Sequence, residues 1–527
     1  VTLQQLLLPA ALAGSLASVT AAPADRAAAA VDRAVAAIQA APQYTHANIG
    51  VEAIDLATGR VIYARSADRF FVPGSTTKLV TVGAALALLG PDHRFHTRVY
   101  RTGPVGSDGL LDGDLVLAAS GDPNLSNRMR PDGTLAFNDE DHSYGGKDVR
   151  PVDGDPLAVI DELAAQIAAH GIKRVAGRVR VDIGLFPEKG QEGGSGVYVS
   201  PVVVNDNVVD LMIEAGPAAG APVGLRVQPL TGYLRVVNRA TTGAAGSKAT
   251  VDITSDEEGA DGTHTITLTG TAPAGERGLI PYAVPRPSRF AAVVLAEALQ
   301  AHGVVAAPGP AVVATAGEPA DTDAGRGADH LVAEHVSAPF SEAARVVLKV
   351  SENLHATILP SVLGATLAAG KEGPPLQRGF DLMKQWLDGS GVDVSGASQG
   401  DGAGARAHFT PHFMASYLAW MARQPFAAVF RRALPVMGRD GTLADIQKSS
   451  PAAGHVFAKT GTYEGEDRLT RAIMVDGKGL AGYVDTHSGR TLAFAAYINF
   501  ARVTTQEEVA NDGERLGEIA SALYAAY

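Results

Sequence analysis

Strand-like alternation stands at both ends of this 527-residue chain, with a long stretch of different texture between. Near the start, Asn48 to Asp55 alternates, Ala57-Thr58-Gly59 turns the chain, and Val61 to Ala64 returns. Near the end, His455–Thr462, Leu480–Asp485 and Thr491–Phe500 read as strands, the last two joined by His487-Ser488-Gly489-Arg490. Helices are predicted over 25–42 and over 505–524, outside the two strand groups. Short strand groups bury too little surface to stand alone. The pattern therefore predicts one sheet assembled from both ends of the chain, with the middle inserted into it. The length also exceeds one ordinary core and predicts two or three domains.

The predicted organisation is a leader over 1–24, a first part of the main domain over 25–95, inserted material over 96–334, and a second part over 335–527. The insertion mixes a strand at Gly113–Ala119, helices at Leu157–His170 and Arg289–His302, and short strands with Gly/Asp turns over about 195–275. A loop at Ala316–Gly327, rich in Ala, Gly, Asp and Pro, marks its end. The final third is predicted helical from Ser341 to Ala368, then near 376–388 and 411–423. There are no internal repeats.

Composition removes several function classes. A net charge of −12 opposes a nucleic-acid surface and a polybasic membrane patch. The absence of cysteine excludes disulfides, thiolate metal sites and a cysteine nucleophile. Fourteen histidines carry no H-E-x-x-H pattern, and no Gly-rich phosphate loop occurs, so no metal or cofactor is implied. Leu3 to Ala17 is almost wholly apolar, and Ser18 to Ala24 is rich in small residues. This reads as the core and cleavage region of a secretory signal peptide, truncated at its start, with an Ala-rich leader as the alternative. The run is short for a transmembrane span. The expected location is the cell envelope or periplasm.

Three short patterns carry chemistry, and each occurs once: Ser75-Thr76-Thr77-Lys78, Ser351-Glu352-Asn353 and Lys459-Thr460-Gly461. Ser75 follows Pro73-Gly74 and opens an apolar helix running to Leu89. A spacing of three puts Lys78 one turn along on the same face. A serine hydroxyl needs an adjacent base, and a lysine serves only when burial or a nearby cation depresses its pKa. Ser351 is placed to relay a proton, and Asn353 to hold a substrate amide. Lys459 offers a cation for a carboxylate from a predicted strand, with hydroxyls on Thr460 and Thr462. Gly461 would leave room for a ligand backbone. Taken singly, each pattern also reads as ordinary structure: an N-cap serine, polar residues on a helix face, a lysine on an edge strand.

Order, setting and uniqueness together resemble the S-x-x-K, S-x-N, K-T-G set of penicillin-binding proteins and serine β-lactamases. From 351 to 459 is 108 residues, a normal separation for that set. From 75 to 351 is 276 residues, too long for a β-lactamase. The chain therefore resembles the low-molecular-mass class C penicillin-binding proteins, the D-alanyl-D-alanine carboxypeptidase/endopeptidases, from about residue 45 onward. Supporting stretches include Ser120-Gly-Asp-Pro-Asn-Leu125, Val204-Asn-Asp-Asn-Val-Val-Asp210 and Gly270-Thr-Ala-Pro-Ala-Gly275. One departure is Asp401-Gly-Ala-Gly404, where the family usually has Asp-Gly-Ser-Gly. Another is the acidic stretch Asn138–Asp141, read as extra solvated loop.

The resemblance implies an α+β fold: a β-lactamase/transpeptidase-like antiparallel sheet flanked by helices, carrying a strand-rich insertion of two nested domains. It implies an acyl-enzyme on Ser75 with Lys78 as base, an oxyanion hole from the N–H groups of Ser75 and Thr462, and Lys459 holding the terminal carboxylate. Its partners would be peptidoglycan stem peptides ending in D-Ala-D-Ala, with β-lactams as covalent inhibitors. Asp182 is a candidate contact for a distal amine of the stem peptide, and Arg406 for a carboxylate, with ordinary surface charges as the alternative. A β-lactamase-like hydrolase and a non-catalytic peptidoglycan- or β-lactam-binding protein are the rival functions. Gly396-Ala-Ser398-Gln-Gly400 matches a nucleophile elbow, but its Gly-rich setting lacks the strand and helix that motif needs. His355 reads as a packing residue.

Overall fold

The computed structural model describes residues 23–188, 190–312 and 327–527. The apolar leader over 1–22 and most of the loop at 316–327 lie outside the described residues.

The two ends of the chain do share one sheet. Its strands run in the order Val61–Arg65, Asn48–Asp55, Thr491–Asn499, Ile473–Asp485, Val456–Glu466, each pair antiparallel. Register is set by partners such as Val51↔Ala496 and Lys459↔Ala481. Thr491–Asn499 reads as an almost unbroken apolar run because helices cover both of its faces. Phe494, Ala496 and Ile498 point to one core, where helices Pro23–Gln39 and Gln506–Ala526 pack. Ala493, Ala495 and Tyr497 point to the other, with helices Lys78–Leu88, Phe340–Val350 and Pro411–Met421.

Residues 96–336 build separate sheets. His96–Arg101 and Leu331–Val336 pair antiparallel, Val99 opposite Ala333, so the chain leaves and returns at one place. With Leu115–Ala118 and Val179–Asp182 they form a four-stranded sheet, and helices Ala158–Ala169 and Pro287–Ala301 bury against the same core. Beyond it lie a four-stranded sheet of Gly224–Gln228, Val208–Glu214, Arg277–Ala283 and Gly146–Lys147, and a three-stranded sheet including Asp252–Glu258 and His264–Thr269. The fold is α+β.

The helix expected from Ser341 to Ala368 is broken. Phe340–Val350 ends at Ser351, which adopts a left-handed conformation (φ 67°), and a new helix spans Asn353–Leu367. Glu352 caps this helix by accepting the Leu354 N–H. The nucleophile-elbow look-alike falls on a short strand, Ala397–Gln399, paired with Ala407–Phe409. Ser398 there is exposed, and no helix follows it directly.

Candidate active site

Ser75 sits in a 3-10 turn, Gly74–Thr77, immediately before the helix that Lys78 begins. The hydroxyls of Thr76 and Thr77 donate to Pro73 O and Gly74 O at 2.9 Å and pin this turn. Lys78 is fully buried, and its Nζ donates to Ser75 Oγ at 2.7 Å and to Ser351 Oγ at 3.3 Å. It also bonds Asn353 Oδ1 in a very short contact. On an unbroken helix, residues two apart diverge. The break at Ser351 turns both Ser351 and Asn353 toward one ammonium.

The edge strand Val456–Glu466 closes the site. A Cβ on Gly461 would lie 2.1 Å from Pro73 O and 3.0 Å from Ser75 N. This glycine therefore makes room for the protein's own serine turn, correcting the expectation that it clears space for a ligand. Gly74, with φ +53°, meets the same strand: a Cβ there would lie 2.6 Å from Thr462 N. Lys459 is fully buried on the same face of the strand as Gly461, toward the serine turn and Lys78, and donates to Thr460 O at 2.8 Å. Thr460 Oγ1 donates to Thr442 Oγ1 at 2.8 Å, and Thr462 is exposed.

These groups open onto a cleft of about 610 Å³. Its surface on the strand side comes from Thr460, Thr462, Tyr463 and Glu464 rather than Lys459. Sequence reasoning missed much of the remaining wall: Tyr144, Glu192, Gly194, Thr442 and Ile446. Glu192 folds its own loop, accepting the N–H groups of Gly194 and Gly196 at 2.8 Å. Gly194 abuts Asn353, and a Cβ on it would lie 1.8 Å from Asn353 Nδ2. The Asp401–Gly404 segment forms another wall: Asp401 accepts the N–H groups of Ala403 and Gly404, and Gly404 packs on Gly74. A slightly larger groove of about 670 Å³ in the insertion, walled by Ile213, Leu225, Arg226 and Arg277, lacks a nucleophile–base pair.

Two candidates fall elsewhere. Asp182 is fully buried in the inserted sheet, accepting Gly184 N–H at 2.8 Å, so no diffusing amine can reach it; this corrects its assignment to the substrate. Arg406 is exposed beside the cleft, outside its lining, and its N–H donates to Asp401.

The acidic stretch Asn138–Asp141 is exposed at Asn138, Asp139 and Glu140, as a solvated loop would be, but not at Asp141. Asp141 is buried, and Asp139 accepts Gly441 N–H at 2.6 Å. Behind the site, Asn205, Asp206 and Asn207 are consecutive left-handed residues. They aim Asp206 at Arg128 (2.6 Å), His142 (2.8 Å) and His355 (2.7 Å). Although burial opposes it, these partners hold the Asp206 carboxyl well below the usual range. His355 thus belongs to a polar hub rather than a purely packed position. Asp206, Glu352 and His355 converge like metal ligands. Asp206, however, already bonds a guanidinium and two imidazoles, a donor set that disfavours a cation.

Burial pushes the Lys78 ammonium down to about 8, against the pull of Glu352, Glu192, Asp141 and Asp401. Burial, then the nearby Lys78, hold Lys459 well below the lysine range. A buried lysine 2.7 Å from a serine hydroxyl can take its proton, and a hydroxyl at 3.3 Å can pass that proton on.

This geometry defines the serine acyl-transfer class of the penicillin-recognising fold. The chain belongs to the D-Ala-D-Ala carboxypeptidase 3 (S13) family, whose profile matches residues 31–519, and is an enzyme of that peptidase family. It is 31% identical over 482 residues to a D-alanyl-D-alanine carboxypeptidase of Actinomadura sp. (strain R39), covering 87% of this chain and 79% of that one. Its fold is similar to that of penicillin binding protein 4 (dacB) from Haemophilus influenzae, with TM-score 0.70 and 20% identity, covering 94% of this chain and 98% of that one. The same protein complexed with a β-lactam matches with TM-score 0.64 and 21% identity, over 89% and 95% of the two chains.

Proposed function

We propose that this chain hydrolyses the bond after the penultimate D-alanine of peptidoglycan stem peptides, acting in the cell envelope, with β-lactams as covalent inhibitors. The bond broken is D-Ala-D-Ala in a carboxypeptidase reaction, or the equivalent bond of a cross-link in an endopeptidase reaction. The observation that carries the reading is the fully buried Lys78 Nζ within hydrogen-bond reach of both Ser75 Oγ and Ser351 Oγ.

Ser75 Oγ attacks the penultimate carbonyl while neutral Lys78 takes its proton. The N–H groups of Ser75 and Thr462 stabilise the oxyanion. The proton passes through Ser351 to the departing amine, the C–N bond breaks, and an ester on Ser75 remains. Water then attacks the ester, and Ser75 recovers its proton through Lys78. Asn353 orients the substrate amide. The hydroxyls of Thr460 and Thr462 meet the terminal carboxylate, and Lys459, beside Lys78 on the serine-turn face of the same strand, is the cation for it.

The test is incubation with a labelled penicillin and with a D-Ala-D-Ala peptide, beside Ser75→Ala. Native protein takes label and releases D-alanine, and the variant does neither. Native protein that takes no label and releases nothing refutes the reading. Rapid spontaneous loss of label would assign a β-lactamase instead.

A further inference from the structure

Among the described residues, two buried carboxyl groups beside the reacting side chains form no ion pair. Glu352 is fully buried; its Oε1 accepts Leu354 N–H at 3.1 Å, and its Oε2 has no donor. Asp141, from the insertion, is buried; its Oδ1 accepts Ser143 N–H at 2.9 Å, and its Oδ2 has no donor. The two carboxyl groups face each other within hydrogen-bond reach, with no donor between them. Carboxylates in such contact do not both ionise. One shared proton gives both orphaned oxygens a partner, and leaving buried acceptors unpaired is costly.

The surroundings place that proton on Glu352. Facing it are Lys78 from the serine helix, Asp141 and Tyr144 from one inserted segment, Asp206 with Arg128 from others, and His355 from its own helix. Arg128, His142 and His355 are all engaged by Asp206. Burial, Asp141 and Asp206 hold the Glu352 carboxyl well above the usual range.

We propose that Glu352 is a positioning residue, a neutral carboxylic acid whose proton bridges to Asp141. The bridge locks the inserted segment that carries Tyr144 onto the Ser351–Asn353 turn and spares Lys78 a facing anion. This rests on Lys78 being the base, as read above. Glu352, when ionised, is the leading upward influence on Lys78. Its ionisation would stabilise the ammonium and shrink the free-base fraction near neutral pH.

The test is the pH profile of penicillin acylation for native protein, Glu352→Gln, Asp141→Asn and the double variant, with melting temperatures alongside. Glutamine keeps a carbonyl for Leu354 and an N–H for Asp141, so E352Q acylates within about 3-fold of native, with the same acid limb. Asparagine at 141 offers Glu352 an N–H and lets it ionise, moving the acid limb up by about one pH unit. The double variant returns the limb to its native position, which a purely structural role would not do. An E352Q protein that melts normally but acylates over 30-fold slower overturns the proposal. So does a double variant whose limb stays shifted. Native protein that takes no label at all fails at the earlier step, Lys78-assisted acylation by Ser75, and removes both readings.

Discussion

Lys78 Nζ lies 2.7 Å from Ser75 Oγ at a position with no solvent exposure. A charged lysine is poorly solvated there, and that burial is what makes it a usable base.

With its pKa pushed down to about 8, Lys78 is the free base in only about a tenth of molecules at pH 7. Penicillin acylation should therefore climb with pH through about 8 and then level. Lys78→Met should lower it at least about 1000-fold at every pH. Stopped-flow acylation rates between pH 6 and 10 check both expectations; a flat native profile would contradict Lys78 as the base.

Gly461 and Gly194 separate two kinds of tightness. A Cβ at 461 strikes backbone at Pro73, which cannot yield cheaply, so Gly461→Ala should lower both the melting temperature and labelling. A Cβ at 194 strikes the end of the Asn353 side chain. Gly194→Ala should keep its melting temperature within a few degrees yet slow acylation about 10–100-fold, the cost of a misplaced orienting group. Calorimetry beside a labelling time course distinguishes them.

Arg128→Met should destabilise the fold by about 3–5 kcal/mol, because it leaves Asp206 buried without its guanidinium. Urea titration measures this. The Asp206 contribution has the sign of a depressed carboxylate. It is complete above the unfolded pKa and fades as pH falls toward the lower folded value. Native stability should therefore decline below about pH 4 more steeply than that of the variant.

Asp182→Asn should leave peptide KM within about 2-fold, since Asp182 is buried away from the cleft. Steady-state release of D-alanine tests this, and a tenfold rise in KM would return Asp182 to the substrate.

Much of the framework was legible in the chain. Runs such as Thr491–Asn499 are apolar enough to need cover on both faces, so strands from opposite ends had to meet. The break at Ser351 was not legible. Ser351-Glu352-Asn353 contains neither Gly nor Pro and sits within apolar periodicity, so local rules continue the helix through it. Nor was the burial of Asp141. Four acidic or amide residues in a row read as solvated, and three of them are; only the folded insertion buries Asp141.

By itself the sequence determined the candidate site residues, the 75-to-78 spacing that brings Ser75 and Lys78 onto one turn, and the membership of both chain ends in one sheet. All three follow from short-range geometry and from the need to bury apolar faces. Only the tertiary structure decided that Ser351 turns left-handed, that Lys459 is buried beside Lys78 rather than exposed in the cleft, and that the insertion supplies Tyr144, Glu192 and Asp141 to the site. Those outcomes depend on contacts between residues far apart in the chain. No local propensity encodes them, because the energy that selects them comes from packing and charge that exist only once the chain has closed.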